Sequence, residues 1–566
     1  MKKLLTLIVV LTMLLAGCGN AAVLSSASES PASETTAPAV STASETPAEP
    51  VDIETELTAQ LAEIQAALDP IVDLKNIPDT RDVPELRKQA VDVLDSLGYA
   101  VRQRREGVRH YELVTDFFDK AAAGKPARVP IYDVTVGYGS LVVSANMFIS
   151  SEDGFSQAYA VLSADGGKWA QSFTQPTALE ELRFTPKGNL IYRDVGSDEG
   201  FGYRVIPQPE EFQKAYSDYV ALVDAQSPGV LNNIWSEDKD FRGLPWEFVF
   251  EEMWQRQNSE NYSDLTEEPS FGYDPSEDSP YVAIPAGLFE STLQKYFDIS
   301  TEALRAAKNT EWLGGASLYD IASGTYHIWG WNGGGYQPTT EVWGITNNPD
   351  GSISLELAWV ALDFGNDGTP HSTLTVMPRA DGGYKYVSNL FSKETVKSNV
   401  GYALASAVSA DNIYQGGFIT TGGSIEKNGY HFAAIDIENG DFYTRNRLGG
   451  LFTTSDIENS FKLVFTEETA KKYLKKLSDI PLYIDGGTES EPVLYINKDV
   501  TNPPIAAGTW NTDDMEVIEN TPDKITVKLR FETADGAKDR SLTMVPGANR
   551  RWLLTDSYEG NVEVSK

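Results

Sequence analysis

The fold is decided by the stretch Val129-Pro-Ile-Tyr-Asp-Val134 and by Leu141-Val-Val-Ser-Ala-Asn-Met-Phe148, which follows after a short gap. Apolar residues in both stretches recur mainly at every second position, which is typical of β-strands with one buried face. Residues 158–162 then lead into the turn Asp165-Gly166-Gly167. Strands in succession, joined by glycine-containing turns, predict an antiparallel sheet.

Helical spacing surrounds this sheet. Leu57, Leu61, Ile64 and Leu68 recur three and four residues apart, and two more helical stretches follow before Gly124. Further helices are expected over 209–223, 245–257 and 287–307, with strands again over 324–386. Because strands are grouped apart from helices, we expect an α+β fold with N-terminal helices and mainly antiparallel sheets packed against helices.

The first eighteen residues form a predicted secretory signal. A basic start at Lys2 and Lys3 precedes an apolar run over 4–15, which is too short to span a membrane. The run Leu15-Ala16-Gly17-Cys18 resembles the bacterial lipoprotein motif. This resemblance implies that Cys18 is lipidated and that the membrane holds the exported protein through this lipid, on its outer face. The alternative is an ordinary signal peptide that contains a cysteine by chance.

The composition of 566 residues excludes several classes of partner. Lys and Arg number 46 against 82 Asp and Glu, a formal charge of -36, which repels phosphate backbones and predicts no nucleic-acid partner. Hydrophobic residues at 41% and aromatic residues at 11% indicate a folded protein. Residues 19–50 consist almost wholly of Ala, Ser, Thr, Glu and Pro, and this composition predicts a disordered tether.

Two resemblances to known families concern the body of the chain. The first covers 108–389 and resembles an uncharacterised lipoprotein family of clostridial Gram-positive bacteria; its setting is implied, but no activity. It rests on these residues and runs: Ile284-Pro285, Phe289-Glu290, 296–300, Leu304-Arg305, Tyr326, Trp329-Gly-Trp331, Pro338, Glu341-Val342 and Asp350-Gly351.

The second resemblance concerns the last hundred residues. A helix followed by a curled antiparallel sheet resembles the cone-shaped NTF2-like fold. Phe465-Thr-Glu-Glu, Leu482-Tyr-Ile-Asp-Gly-Gly and Arg551-Trp552 are similar to the bacterial DL-endopeptidase inhibitor family. The resemblance implies regulation of a cell-wall endopeptidase, without identifying an inhibitory residue.

These patterns predict six segments. They are a signal peptide with lipobox (1–18), a disordered tether (19–50), a helical segment or stalk (51–105), a central α+β domain of the uncharacterised-lipoprotein type (106–400), a β-rich connecting segment (401–459) and a C-terminal NTF2-like domain (460–566).

Catalytic and metal signatures do not emerge from the sequence. The four histidines are isolated from one another, and the only cysteine lies in the lipoprotein motif, so we expect no metal site and no cofactor. Glu251 and Glu252 stand beside Trp254, but adjacent helical residues point about 100° apart and do not flank one glycosidic bond. We expect no catalytic residue; a hydrolase assembled from distant positions remains the alternative.

An aromatic strand is the best candidate for ligand binding. In Tyr326-His-Ile-Trp-Gly-Trp331, alternation puts His327, Trp329 and Trp331 on one face and Tyr326 and Ile328 on the other. If the second face covers the core, the two indoles are presented together, and Tyr336 and Glu341 follow closely. Such a surface suits a glycan or a peptide; ordinary cross-strand aromatic packing is the alternative. We therefore expect a lipid-anchored, non-catalytic binding module of the cell envelope.

Overall fold

The computed structural model describes most of the chain beyond residue 51 and divides it into two compact units. Among the described residues, the first unit comprises those up to 213 together with 359–360, and the second comprises those over 214–358 and from 370 onward. The described residues are 52–79, 83–103, 106–165, 167–197, 200–224, 229–258, 281–308, 317–329, 339–360, 370–415, 420–435, 453–479, 482–487, 492–500, 509–533, 536–547 and 552–555.

The α-helices of these ranges are α1 Ile53–Leu68, α2 Pro84–Ser96, α3 Tyr111–Ala122, α4 Glu210–Ala215, α5 Trp246–Asn258, α6 Ala286–Gln294, α7 Thr301–Ala306, α8 Lys393–Gln415, α9 Thr454–Lys462 and α10 Glu467–Asp479. A π-turn over Tyr216–Val220 extends α4, and a short 3-10 turn covers Glu237–Lys239. Each of these helices is too short or too polar to cross a lipid bilayer.

The strands of the first unit are β1 Ala100–Arg102, β2 Val108–Arg109, β3 Ala127–Gly137, β4 Ser140–Ser151, β5 Gly154–Asp165, β6 Lys168–Phe184, β7 Asn189–Asp194 and β8 Gly200–Arg204. They form one sheet in the order β2-β1-β3-β4-β5-β6-β7-β8. Only the β1–β3 pairing is parallel among the described strands, so the predicted antiparallel character is confirmed.

Helices cover both faces of this sheet. The four apolar residues of α1, from Leu57 to Leu68, are buried with Val134, Val143 and other strand residues in one core cluster, which α2 also joins. On the opposite face, Phe117 of α3 packs in a second cluster with Phe148. The helices α1 and α2 therefore belong to the core of the first unit, which differs from a stalk, because their apolar residues cover the sheet.

The second unit begins with two antiparallel sheets. Strands β10 Tyr281–Pro285, β11 Tyr319–Asp320 and β12 Thr325–Trp329 pair in the order β10-β12-β11. A five-stranded sheet has the order β13-β14-β15-β16-β9, with β9 Trp235–Ser236, β13 Thr339–Asn347, β14 Ile353–Val360, β15 Ser372–Pro378 and β16 Tyr384–Phe391. The helix expected over 287–307 is divided into α6 and α7, and the Ser300 hydroxyl caps α7 by accepting from the N–H of Ala303.

Two four-stranded sheets complete the second unit. The first has the order β17-β18-β20-β19, and the second runs from β21 to β24 in chain order. Their bounds are β17 Thr420–Lys427, β18 Tyr430–Ile435, β19 Tyr483–Gly487, β20 Pro492–Asn497, β21 Thr509–Thr521, β22 Lys524–Thr533, β23 Gly536–Pro546 and β24 Trp552–Leu554.

A single core cluster joins both of these sheets to α8, α9 and α10. It extends from Val396 on α8, through Phe461 and Tyr473, to Leu554 on β24. Residues 401–415 belong to the helix α8, whereas the sequence predicted a β-rich segment over 401–459. The cluster also begins well before the expected boundary at residue 460. The predicted α+β class is confirmed, and the last sheet is curled.

Candidate functional site

The inner face of β12 is fixed by Tyr326 and Ile328, which are both buried. The ring of Tyr326 stacks on Phe289 of α6, with centroids 4.0 Å apart, and its hydroxyl donates to Oε1 of Glu290 at 3.1 Å. These contacts agree with the expectation that Tyr326 and Ile328 cover the core. The other face of β12 therefore points away from α6.

An ion pair holds this inner face in place. Nε of Arg305 donates to Oε1 of Glu290 at 2.7 Å, and the guanidinium lies 4.9 Å from the ring centre of Tyr319 on β11. Glu290 is about one-tenth exposed, so a single carboxylate organises α6, α7 and β12 in a partly dry environment. The strand is therefore a rigid support for whatever its outer side presents.

His327 lies on that outer side and is exposed. Its backbone N–H donates to the carbonyl of Leu318 at 2.8 Å, and the residue pairs with Ala283 of β10, so β12 is the central strand of its sheet. Trp329 pairs with Tyr281, although its side chain, like all of Trp331 and Tyr336, lies outside the described residues.

Glu341 has a different environment from the one expected for an accessible ligand-binding residue. It lies on β13 and is only 3% exposed, and its Oε2 accepts a hydrogen bond from the indole of Trp343 at 2.8 Å. The carboxylate is thus turned into the protein. Of the predicted binding residues, the described part of the chain places His327 at the surface and Glu341 in the interior.

The sequence did not predict a set of buried carboxyl groups in the second unit. Glu247, Glu251 and Glu252 on α5, together with Asp224, are each less than a tenth exposed. Burial raises the pKa of Glu251 to about 8, so this side chain is mainly protonated at neutral pH. The spacing of Glu251 and Glu252 predicted only that they do not act as a catalytic pair, and the structure adds that both are buried.

A loop over 229–235 lies against these glutamates. A β-carbon at Gly229 would collide with the carboxylate of Glu252, so any larger residue at this position would have to displace that side chain. The amide of Asn233 donates to the Gly229 carbonyl at 2.5 Å, and the indole of Trp235 donates to the Val230 carbonyl at 2.9 Å. Side chains therefore donate hydrogen bonds to backbone carbonyls of this buried loop that have no partner in a helix or a sheet.

Two further buried side chains tie the loop to neighbouring strands. Nδ2 of Asn389 donates to the carbonyls of Leu231 and Asn233, at 3.1 and 2.8 Å. His371 is fully buried, and desolvation lowers its pKa to about 3 despite a backbone hydrogen bond to Leu231, so the ring is neutral. The loop, α5, β15 and β16 thus share one polar interior.

Asp224 and Tyr386 extend this interior. Both oxygens of Asp224 accept short bonds of 2.6 Å, from the hydroxyls of Tyr216 and Thr340. The Tyr386 hydroxyl donates to the carbonyl of Tyr219 at 2.9 Å. Since these groups are buried and bonded to the fold, they act as positioning residues that hold the second unit together.

One sequence signal could have revealed this centre. In Trp246-Glu-Phe-Val-Phe-Glu-Glu-Met-Trp254 apolar residues occupy every side of the helix, which is typical of a buried helix and leaves no polar face for the glutamates. In the described ranges, no three His, Cys, Asp or Glu side chains converge to hold a metal ion. His110 and His431 each lie beside surface carboxylates.

The model of a family of unknown function, DUF6070, matches residues 55–404, which is more than half of the chain. The chain therefore belongs to this family. No curated protein matches the sequence. The matched range includes most of α1, the first sheet, β12 and the buried glutamates, and it ends before the sheet of β21 to β24.

Proposed function

We propose that the protein is a lipid-anchored binding module at the outer face of the cell membrane. The observation that carries this proposal is Leu15-Ala16-Gly17-Cys18, placed directly after a basic start and a short apolar run. The resemblance to bacterial lipoproteins implies a diacylglyceryl thioether on Cys18 and acylation of its new amino group. Two or three acyl chains, at about 0.8 kcal/mol per buried CH₂, are enough for stable attachment.

Mass spectrometry of the N-terminal peptide tests the anchor. We expect residues 1–17 to be absent and Cys18 to carry the mass of its acyl groups. A Cys18→Ala variant should leave the membrane fraction, whereas Ser25→Ala, a matched change in the tether, should behave as the parent does. An unmodified thiol at Cys18 would remove this part of the proposal.

We further propose that the outer side of β12 binds its ligand, a glycan or a peptide of the envelope, without catalysis. His327 is exposed there while Tyr326 and Ile328 are used in packing, and this arrangement supports the proposal. Trp329, Trp331 and Tyr336 would supply flat aromatic surfaces beside it. Aromatic rings bind the apolar face of a sugar or a peptide side chain at little conformational cost.

Intrinsic tryptophan fluorescence measures this binding. Titration of the full chain with wall glycan strands, and separately with soluble muropeptides, should give a saturable change with one of the two. His327→Ala should weaken the response severalfold, whereas His431→Ala, which alters an exposed histidine on β18, should not. A flat response to both classes of ligand would exclude this site.

A second candidate function belongs to the C-terminal sheets. In the second unit, α9 and α10 pack in one core with a curled sheet of four strands, and this arrangement favours comparison with the NTF2-like endopeptidase inhibitors. The alternative function is inhibition of a cell-wall endopeptidase. The full chain should then slow such an enzyme from the same organism, a clostridial Gram-positive bacterium in our proposal; unchanged hydrolysis at micromolar concentrations would contradict it. A hydrolase without a recognisable motif remains a third, less supported function.

A further inference from the structure

A groove of about 590 Å³ lies beside β21 in the second unit. Its lining includes Lys393, the first residue of α8, and residues 513–517 of β21. Ligand sites in proteins commonly have volumes of about 300–1,000 Å³, so the groove is large enough for a short peptide. At one end, Asn520 donates to the carbonyl of Phe391 at 2.7 Å and joins the strand to the segment that precedes α8.

The strand beside the groove has a free edge and a large bulge. β21 pairs with β22 alone among the described strands, so within that part of the chain its other edge makes no ladder hydrogen bonds. Its register shifts from Asn511 opposite Arg530 to Glu516 opposite Lys528, so four residues face one. The buried Met515 anchors this bulge in the core, while Asp513 and Asp514 are exposed.

Charges of both signs border the groove. Asp513 lies 3.5 Å from Lys397. For Lys393, Asp514 and Glu516, no ion pair is found within the described part of the chain. The positive end of the α8 helix dipole lies at Lys393, on the same side as the lysine charge. The groove is therefore cationic on one side and anionic along the strand.

We propose that this groove binds a short, extended peptide that carries both a free ammonium group and a free carboxylate. The carboxylate would lie near Lys393 and the start of α8, and the ammonium near Asp514 and Glu516. The peptide backbone would pair with the free edge of β21, as peptides do when they add a strand to a sheet. This inference names a peptide class for the envelope role proposed above, but it concerns a site separate from β12 and from Cys18.

Isothermal titration calorimetry of the full chain in detergent provides the test. The probe is the synthetic peptide Ala-Lys-Ala-Ala with free termini, compared with the same peptide acetylated and amidated at its ends. We expect saturable binding of the free peptide and at least tenfold weaker binding of the capped one. Lys393→Ala, and Asp514→Asn combined with Glu516→Gln, should each weaken binding of the free peptide about tenfold or more.

Matched controls are available on the same unit. Lys498→Ala and Glu426→Gln alter exposed charges outside the groove and should change affinity by less than twofold. All variants replace exposed side chains, so thermal unfolding should coincide with that of the parent. A peptide methylated at alternate backbone amides should bind poorly, because it cannot form the edge hydrogen bonds.

Three results would overturn the inference: absence of binding at millimolar peptide, equal binding of free and capped peptides, or equal loss of affinity in groove and control variants. Unimpaired binding of the methylated peptide would contradict the strand-like mode. Each of these outcomes leaves the tests at Cys18 and His327 unaffected, so failure of the groove is distinguishable from failure of the proposed function.

Discussion

At the scale of single residues, Asn389 shows how a polar side chain specifies a buried loop. Its amide is a donor to two carbonyls, those of Leu231 and Asn233, and the residue itself is fully buried. The loss of one partner from a buried hydrogen bond destabilises the fold by more than the net contribution of that bond. The group that is left behind stays buried and cannot bond to water instead. The stability of the loop over 229–235 should therefore depend strongly on this one side chain.

We expect Asn389→Ala to lower the free energy of unfolding of the second unit by about 2–4 kcal/mol, since two carbonyls lose their donor and a small cavity remains. Denaturant unfolding followed by tryptophan fluorescence measures the change. Gln257→Ala removes an exposed amide from α5 and serves as control, with a change within about 0.5 kcal/mol. Equal effects of the two substitutions would show that the loop does not depend on Asn389.

Glu251 gives a pH prediction. Its pKa is raised from 4.5 to about 8 in the folded state by burial, so the unfolded chain ionises first as pH rises. The unfolded state is then favoured, and stability should fall between about pH 4.5 and pH 8 and level off above. Glu251→Gln should remove this loss and gain about 2 kcal/mol or more over the parent at pH 8.5, with little gain at pH 4.

Urea unfolding at pH 4 and pH 8.5 measures the difference in unfolding free energy between the parent and Glu251→Gln. This difference isolates the effect of Glu251 from that of other titrating groups. His110 also contributes to the pH dependence: hydrogen bonds to Asp95 and Glu112 raise its pKa above 6.5, so its contribution is lost as pH rises through the folded-state pKa. Because both proteins retain His110, its effect cancels. A pH-independent difference would contradict the assignment to Glu251.

These residues also show the limit of prediction from sequence. Nothing in the spacing of Glu251 and Glu252 says whether they are buried, because burial depends on the segments that pack against the helix and not on the helix's own sequence. Charged residues are rarely buried, so the sequence alone favours a solvated face. The alternation at Tyr326 and Ile328 was predictable, since it depends on one strand only and one face had to be apolar.

At the scale of elements, α1 shows that a helix can be predicted from sequence while its packing partner cannot. Its stripe of Leu57, Leu61, Ile64 and Leu68 predicted a helix correctly, but not the surface that the stripe covers. The helix α8 was not predicted, because Gly401 lowers the helix propensity of its middle and the strands that follow dominate the segment expected to be β-rich. Periodicity therefore predicts an element, whereas its neighbours depend on contacts distant in sequence.

Leu61→Ala tests whether α1 belongs to the core. The side chain is 1% exposed against the first sheet, so its truncation should destabilise the first unit by about 2–5 kcal/mol. Thr58→Ala, on the exposed side of the same helix, should change stability by less than about 0.5 kcal/mol. Thermal unfolding measures both. Equal stability of the two variants would mean that α1 is a separate stalk in solution.

At the scale of the whole molecule, charge and anchor act in opposite directions. A formal charge of -36 repels the anionic surface of a membrane, so electrostatic attraction cannot hold the folded body there. The 32 residues from Gly19 to Pro50 would separate the two, with an average reach of roughly 30 Å for a flexible coil. Attachment should then depend on the acyl chains alone, which is a property of Cys18 and not of either folded unit.

Extraction of membranes with salt and with detergent distinguishes these forces. In 1 M NaCl the screening length falls to about 3 Å, which releases proteins held by charge but does not weaken burial of acyl chains. We expect the parent protein to stay with the membrane in salt and to enter solution in a mild detergent, while Cys18→Ala is soluble in both. Immunoblots of the two fractions measure the distribution. Release of the parent by salt, or retention of Cys18→Ala, would show that a protein surface makes the attachment.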